Sequence, residues 1–189
     1  MTEHDGRRDA RDPADLGDLI VDGDTATMTF RRRMPHPIDA VWAALTDPGE
    51  RAAWFGQTTI DGGVIDMRPD DPPDGPPAAP EAKLMTGRIL AWEPPVPGAD
   101  GRRVAVLEHE WRQRIVDDGV VRYELTEDGD GTVLEFSHRG LSLGNARGFI
   151  PGMHAYLDRL AAHLAGAEPP GWVARYEELV PAYAGPVTG

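Results

Sequence analysis

The chain has 189 residues, of which 40% are hydrophobic, and contains no cysteine; this is typical of one soluble domain and excludes disulfides, thiolate metal sites and a cysteine nucleophile. A formal net charge of −13 disfavours binding to nucleic-acid phosphates. No apolar run is long enough to insert into a membrane, and the charged N-terminus lacks the apolar core of a secretory signal, so a cytoplasmic location is expected.

The N-terminal part predicts a charged tail followed by a strand. Residues 1–18 are dominated by charges without periodicity and predict disorder. Alternation of apolar and polar residues from Asp24 to Met34 predicts a half-buried strand. The arginines at its end, Arg31 to Arg33, are interpreted as part of a solvated face. One domain is expected over residues 19–184, with a short tail at 185–189.

Two short helices are predicted after this strand. Pro37 suits a first helical position, and an apolar stripe with spacing i, i+3, i+4 and i+7 follows it. The stripe consists of Ile38, Val41, Trp42 and Leu45. Asp47 is expected to cap the second helix, which brings Trp54 and Phe55 to one place. Two large aromatic side chains there indicate a hydrophobic anchor or the lip of a pocket.

The middle of the chain predicts an antiparallel sheet. Residues 57–68 predict a hairpin that turns at Asp61-Gly62-Gly63. The proline-rich stretch at 69–80 cannot form a helix or a strand ladder, so it is interpreted as a flexible loop. Alternating patterns and turn signals then predict four antiparallel strands. They lie at residues 83–93, closed by Pro94-Pro95, and at 102–114, 120–126 and 132–139.

The C-terminal part changes to a helical period. Apolar residues from Phe149 to Leu164 predict a long amphipathic helix that ends at Gly166 and has Pro151 in its first turn. Residues 171–182 predict a short last helix. Its inward side chains are expected to be Trp172, Tyr176 and Leu179.

This order of elements resembles the helix-grip fold of the START / polyketide-cyclase / birch-pollen-allergen superfamily (SRPBCC). The likeness is strongest to the family of the activator of the heat-shock-chaperone ATPase, in the bacterial single-domain form, and covers residues 20–183. It is carried by Arg31 to Arg33, Pro37, Val41-Trp42, Leu45-Thr46-Asp47-Pro48 and Trp54-Phe55, and by the segments 107–112, 130–141 and 148–166. It implies an α+β fold in which a curved antiparallel sheet wraps around a long C-terminal helix, commonly with an apolar cavity between them.

Strand parity places several aromatic and histidine side chains on one face of three consecutive strands. They are His109, Trp111, Tyr123, Phe136 and His138, and the long helix would set Met153, Tyr156, Leu157 and Leu160 against them. Together with Trp54 and Phe55 they are the predicted ligand-binding residues. Two interpretations stay open: a pocket with a few orienting polar groups, or a filled core in which tyrosine and histidine reach backbone partners.

Other kinds of site are disfavoured. The histidines lack metal-binding spacing, and His154 and His163 lie on opposite sides of a helix, so no metal site is assigned. Ser137 and His138 point to opposite faces of a strand and cannot form a nucleophile–base pair. We predict no cofactor and assign no catalytic residue.

Three functions remain as hypotheses. The first is a protein that binds a small hydrophobic or lipid-like molecule, with a homodimer possible. The second is a co-chaperone that stimulates a heat-shock ATPase, although the eukaryotic activator carries an additional N-terminal domain that the short tail would not supply. The third is a cyclase- or aromatase-like enzyme, in which Arg88, Tyr123 and His138 would supply an acid and a stabilising cation. Arg88 is alternatively a surface or ion-paired residue. A binding protein is favoured over an enzyme.

Overall fold

In the computed structural model, residues 15–69, 84–114 and 116–185 are described. Within them, eight strands form one antiparallel sheet, and four α-helices accompany it. The strands are β1 (Asp18–Asp22), β2 (Thr25–Met34), β3 (Gly56–Asp61), β4 (Val64–Pro69), β5 (Met85–Pro97), β6 (Arg103–Trp111), β7 (Gly119–Asp128) and β8 (Gly131–Ser142). The helices are α1 (Ile38–Thr46), α2 (Pro48–Trp54), α3 (Leu143–Leu164) and α4 (Trp172–Leu179). Most of the predicted tails and of the proline-rich loop lies outside the described residues.

The strand order is β1-β2-β8-β7-β6-β5-β4-β3. The first long strand therefore pairs with the last one, and α3 packs on the concave side against β2, β8 and both short helices. The inward apolar side chains of β2, β6, β7 and β8 are buried in one hydrophobic core. This confirms the predicted helix-grip architecture. Only β1 has no counterpart among the predicted elements.

The two short helices form as the sequence predicts. The Asp47 carboxylate accepts hydrogen bonds from the backbone N–H groups of Gly49, at 2.8 Å, and Glu50, at 3.0 Å, and so caps α2. The aromatic rings of Trp54 and Phe55 then meet edge to face, with centroids 5.6 Å apart. Both are buried in the core.

Strand β5 differs from its prediction because it is bulged twice. It continues through Pro94-Pro95 to Pro97, with a register shift between Glu93 and Val96. A second shift, between Ile89 and Ala91, reverses the side-chain parity, so Trp92 lies opposite the inward-facing Leu107. Arg88, which precedes this bulge, therefore lies on the opposite face of the sheet from Trp92.

Helix α3 is longer than predicted at its N-terminal end. The Ser142 hydroxyl caps it by accepting from the Asn145 N–H, so Pro151 lies in the helix interior and not in the first turn. A proline there removes one helical hydrogen bond. The C-terminal end is as expected. Gly166 adopts a φ of +66°, and the N–H of Ala167 donates to the Ala162 carbonyl, which is the Schellman arrangement.

Helix α4 and a following 3-10 turn, Val180–Tyr183, pack beside α3. Trp172 and Tyr176 are half-buried and Leu179 is buried, as predicted. The Tyr183 hydroxyl accepts a hydrogen bond from the Gly17 N–H at 2.9 Å. None of the described helices is long and apolar enough to cross a membrane.

Candidate functional site

The predicted strand residues come together on the concave face of the sheet. His109 lies opposite Val121, and Val121 lies opposite His138, so these side chains form one row across β6, β7 and β8. Tyr123 and Phe136 are opposite each other in the next inward row. All five are buried. The sheet therefore presents a continuous inner surface of aromatic rings and imidazoles.

The helices contribute the facing aromatic groups. Phe55, at the C-terminal end of α2, packs on Tyr156 of α3 with ring centroids 4.5 Å apart, and its edge meets Trp111 at 6.2 Å. Trp54 is held as an anchor because its indole N–H donates to the Ala44 carbonyl at 2.9 Å. Three more predicted residues, Met153, Leu157 and Leu160, are buried in the same core.

A buried arginine, Arg51 of α2, is the main feature that the sequence analysis missed. Its Nε donates to the Met67 sulfur at 2.9 Å, its Nη1 to the Leu45 carbonyl at 2.7 Å, and its Nη2 to the Tyr123 hydroxyl at 3.4 Å. Its guanidinium carbon lies 5.4 to 5.6 Å from three aromatic rings, those of Trp54, Phe55 and Tyr123. Within the described residues, no carboxylate forms an ion pair with it. The core therefore holds a positive charge balanced by dipoles and ring faces.

The charge on Arg51 acts on His109. Burial, and then the positive charge of Arg51, lower the pKa of His109 to about 3. The ring Nδ1 lies 2.8 Å from the Glu110 backbone carbonyl. A carbonyl only accepts hydrogen bonds, so in this arrangement Nδ1 carries the proton of the neutral ring. His109 therefore stays neutral at pH 7.

Three polar atoms of β6 and β8 on this face have no hydrogen-bond partner within the described part of the chain. They are His109 Nε2, Trp111 Nε1 and His138 Nε2, and we call the three residues the histidine–tryptophan cluster. The ring of Trp111 lies 6.4 Å from that of His109 and 5.4 Å from that of His138. Burial lowers the pKa of His138 to about 4, so this ring is also neutral at pH 7.

The absence of a side chain at Gly119 leaves space for the histidine–tryptophan cluster. Gly119 lies opposite Trp111 in the β6–β7 pair, and a Cβ atom at this position would stand 2.6 Å from His138 Nε2. Only a residue without a side chain allows the imidazole to approach the backbone of β7 so closely. The glycine also opens β7 beside the Trp111 indole.

A second buried polar group, the terminal cluster, lies where β2 meets α3 and the C-terminal segment. It consists of Arg32, His154, Asp158, Arg175 and Tyr183. The solvated-face interpretation of the three arginines is wrong for Arg32. Its side chain is on the inward row of β2 and forms ion pairs with Asp158, at 3.8 Å, and with Asp15, at 2.9 Å.

Most polar groups of the terminal cluster are paired with one another, whereas Arg32 Nε and Nη2 have no hydrogen-bond partner within the described residues. His154 Nδ1 and the Tyr183 hydroxyl are 2.7 Å apart, and Arg175 Nε donates to Asp158 at 2.7 Å. Burial, then the charges of Arg32 and Arg175, lower the pKa of His154 to about 3, whereas burial raises that of Tyr183 to about 12. These contacts fasten the C-terminal segment to α3 and β2, which is a structural role.

The outer face of the sheet is polar. Arg88, whose ion-paired interpretation is confirmed, pairs with Glu110, which also contacts Arg112. A cleft of about 420 Å³ opens on this face between β1, β2, β7 and β8, with Arg31 and Glu135 among its lining residues. Most of its lining residues come from the outward rows of these strands, and Phe136 is the one predicted ligand-binding residue among them. No group of three or more His, Asp and Glu side chains in the described ranges is arranged to hold a metal ion.

Comparison with known proteins places the sequence in a family and the fold among solved structures. A family model described as Activator of Hsp90 ATPase homolog 1-like protein matches residues 35–165. No curated protein matches the chain.

Several solved structures share the fold. The crystal structure of CalU16 from Micromonospora echinospora is 26% identical with a TM-score of 0.63, over 89% of this chain and 92% of that one. The protein encoded by BPP1335 of Bordetella parapertussis is 25% identical with a TM-score of 0.61, over 86% of both chains. DynU16, a protein of the dynemicin biosynthetic locus, is 21% identical with a TM-score of 0.54, over 76% of this chain and 48% of that one, and shows a likeness of fold alone.

Proposed function

The chain belongs to the family of Activator of Hsp90 ATPase homolog 1-like proteins, which is of the SRPBCC type, and on this premise we propose that it binds a small, mostly apolar molecule between the concave sheet face and α3. The observation that carries the proposal is the histidine–tryptophan cluster. Each buried polar atom without a partner costs about 1–3 kcal/mol, and proteins retain few of them. Three such atoms in one aromatic-walled patch are what a ligand-orienting site requires.

The composition of the patch supports this kind of ligand. Its walls are the rings of Phe55, Trp111, Tyr123, Phe136 and Tyr156, which offer large apolar contact area at low conformational cost. Burial of apolar ligand surface would supply affinity at about 25 cal/mol per Å² before the costs of association. The few polar atoms would then fix the orientation of the ligand.

Native mass spectrometry of freshly purified protein, followed by organic extraction, tests the proposal. We expect a stoichiometric mass increment or, for protein stripped of ligand, saturable binding of the apolar dye 1-anilinonaphthalene-8-sulfonate. Val121→Phe would fill the centre of the concave row and abolish dye binding. Val120→Phe is the matched control because that neighbour points to the outer face. An apo mass together with no dye binding, or equal binding by both variants, would overturn the proposal.

An enzymatic role is the second candidate, and the convergence of His109, Arg51 and Tyr123 favours it. With a pKa of about 3, the neutral His109 imidazole is a weak base at pH 7 and would act by accepting a hydrogen bond, whereas a fixed cation nearby can stabilise an anion that forms. Perturbed pKa values beside a specific charge are typical of functional sites, although structural groups also show them. Turnover of an extracted ligand by wild-type protein, lost in His109→Phe, would establish this role. Quantitative recovery of the unchanged ligand would exclude it for that compound.

A co-chaperone role is suggested by the family description alone. It is tested by the rate of ATP hydrolysis of the heat-shock chaperone with and without this protein. No stimulation at saturating protein would end that hypothesis.

A further inference from the structure

The tautomer of His109 identifies one group that a ligand must carry, and this inference rests on the proposed binding function. The hydrogen bond between Nδ1 and the Glu110 carbonyl fixes the proton on Nδ1. Nε2 is therefore a lone pair, buried and without a partner within the described residues. It can only accept a hydrogen bond.

The neighbouring unpartnered atom has the opposite character. Trp111 Nε1 carries a hydrogen and can only donate, and Trp111 is 7% exposed. The His109 and Trp111 side chains leave the same face of β6, and their rings are nearly parallel, with centroids 6.4 Å apart and planes inclined by 26°. A ligand group that contacts both nitrogens would lie about 3 Å from each of them.

Few chemical groups serve both atoms at once. A carbonyl or ether oxygen accepts from Trp111 but offers nothing to His109, and an amide N–H does the reverse. A hydroxyl group donates through its hydrogen and accepts through its oxygen. The positive charge of Arg51, which reaches His109, additionally favours an oxygen that carries partial negative charge, as in a phenol or an enol.

We propose that the site takes an aromatic molecule with a phenolic or enolic hydroxyl, which donates to His109 Nε2 and accepts from Trp111 Nε1. His109 is then the residue that selects for the hydroxyl hydrogen. The Trp111 indole N–H can donate a hydrogen bond to any ligand oxygen at this position.

A matched pair of probes tests the proposal: 2-naphthol, and 2-methoxynaphthalene, which keeps the rings and the oxygen but lacks the hydrogen. Isothermal titration of wild-type protein should show naphthol binding about tenfold more tightly, the effect of one net hydrogen bond of about 1.4 kcal/mol. His109→Phe should equalise the two affinities by lowering that of naphthol. Retained binding of the methoxy compound shows that this variant is folded. Trp111→Phe should weaken both compounds and keep the preference.

The outcomes separate the two proposals. If neither compound binds to wild-type protein, the proposed apolar site and this inference both fail. If both bind equally, the site stands and the hydroxyl inference is wrong. A naphthol preference that persists in His109→Phe also overturns the assignment.

A readout without ligand is available. Two-bond ¹H–¹⁵N correlation spectra should show His109 as the Nδ1–H tautomer with an unprotonated Nε2, and the Nε2–H tautomer would overturn the inference.

Discussion

Acid should destabilise this protein through its buried neutral histidines. The pKa of His109 is lowered to about 3 and that of His138 to about 4, against an ordinary value of 6.5. Below pH 6.5 the unfolded chain binds protons that the folded chain does not. The free energy of unfolding that these residues contribute is therefore complete above pH 6.5 and falls as the pH decreases towards 4 and 3.

The size of the effect follows from the two pKa values. Each histidine changes the free energy of unfolding by about 1.4 kcal/mol per pH unit within the window, so the loss between pH 7 and pH 5 is about 2 kcal/mol for each and about 4 kcal/mol for both. A typical domain has about 5–15 kcal/mol in total. His154, with a pKa of about 3, acts in the same direction.

Urea unfolding at pH 7, 6 and 5 measures this loss. The comparison is between wild-type protein and His138→Phe, which keeps an aromatic ring but cannot titrate. Carboxylate effects are common to both proteins and cancel in the difference, so the variant should lose about 2 kcal/mol less between pH 7 and pH 5. Ser137→Ala, the outward neighbour on β8, controls for substitution in this strand. Equal losses in wild-type protein and His138→Phe would refute the reasoning.

Three further outcomes are expected. Gly119→Ala should lower the free energy of unfolding by about 1–3 kcal/mol in urea denaturation, because the new Cβ would lie 2.7 Å from a carbonyl oxygen of β8. The control is Gly144→Ala, at an exposed position in α3 where a new Cβ meets no atom within 4 Å, and it should raise the free energy of unfolding by up to about 1 kcal/mol. Equal effects of the two substitutions would contradict the steric explanation. Asp47→Ala should cost about 1 kcal/mol in the same assay because α2 loses its N-terminal cap, whereas an unchanged midpoint would show that the cap contributes nothing. Arg51→Met should raise the pKa of His109 in a histidine NMR titration, since a nearby positive charge is removed; an unchanged value would mean that burial alone sets it.

The periodic parts of the fold could be predicted from the sequence because alternation and helical spacing report directly on burial. The inward row of β6, with His109 and Trp111, follows from parity alone. The cap at Asp47 and the stop at Gly166 follow from local hydrogen-bond chemistry. Strand β1 could not be found this way, because only three apolar residues lie between the aspartates at its ends, and such a short run shows no alternation.

The errors have a common physical cause: tertiary partners override the usual behaviour of a residue type. Arg32 has the parity of Phe30 and Met34, which points inward, whereas its charge argues for solvent. Its ion pairs with Asp15 and Asp158 explain how the charge is accommodated inside. Arg51 is three and four residues before Trp54 and Phe55, a spacing that would have put it on their face. Two bulges in β5 likewise depend on pairing with β6 and leave no periodic signal.

The pairing of β2 with β8 has a consequence for synthesis of the chain. Thr25 pairs with Ser142, and these partners are 117 positions apart (142 − 25). At a translation rate of roughly 5–20 residues per second, the ribosome takes about 6 to 23 s to deliver the partner strand. During that time β2 has no partner strand at the edge that later pairs with β8. Its inward side chains Met28, Phe30 and Met34 therefore lack their neighbours from β8. Nascent chains should therefore be protected by chaperones until β8 emerges, and the helix-grip core should form in one late step.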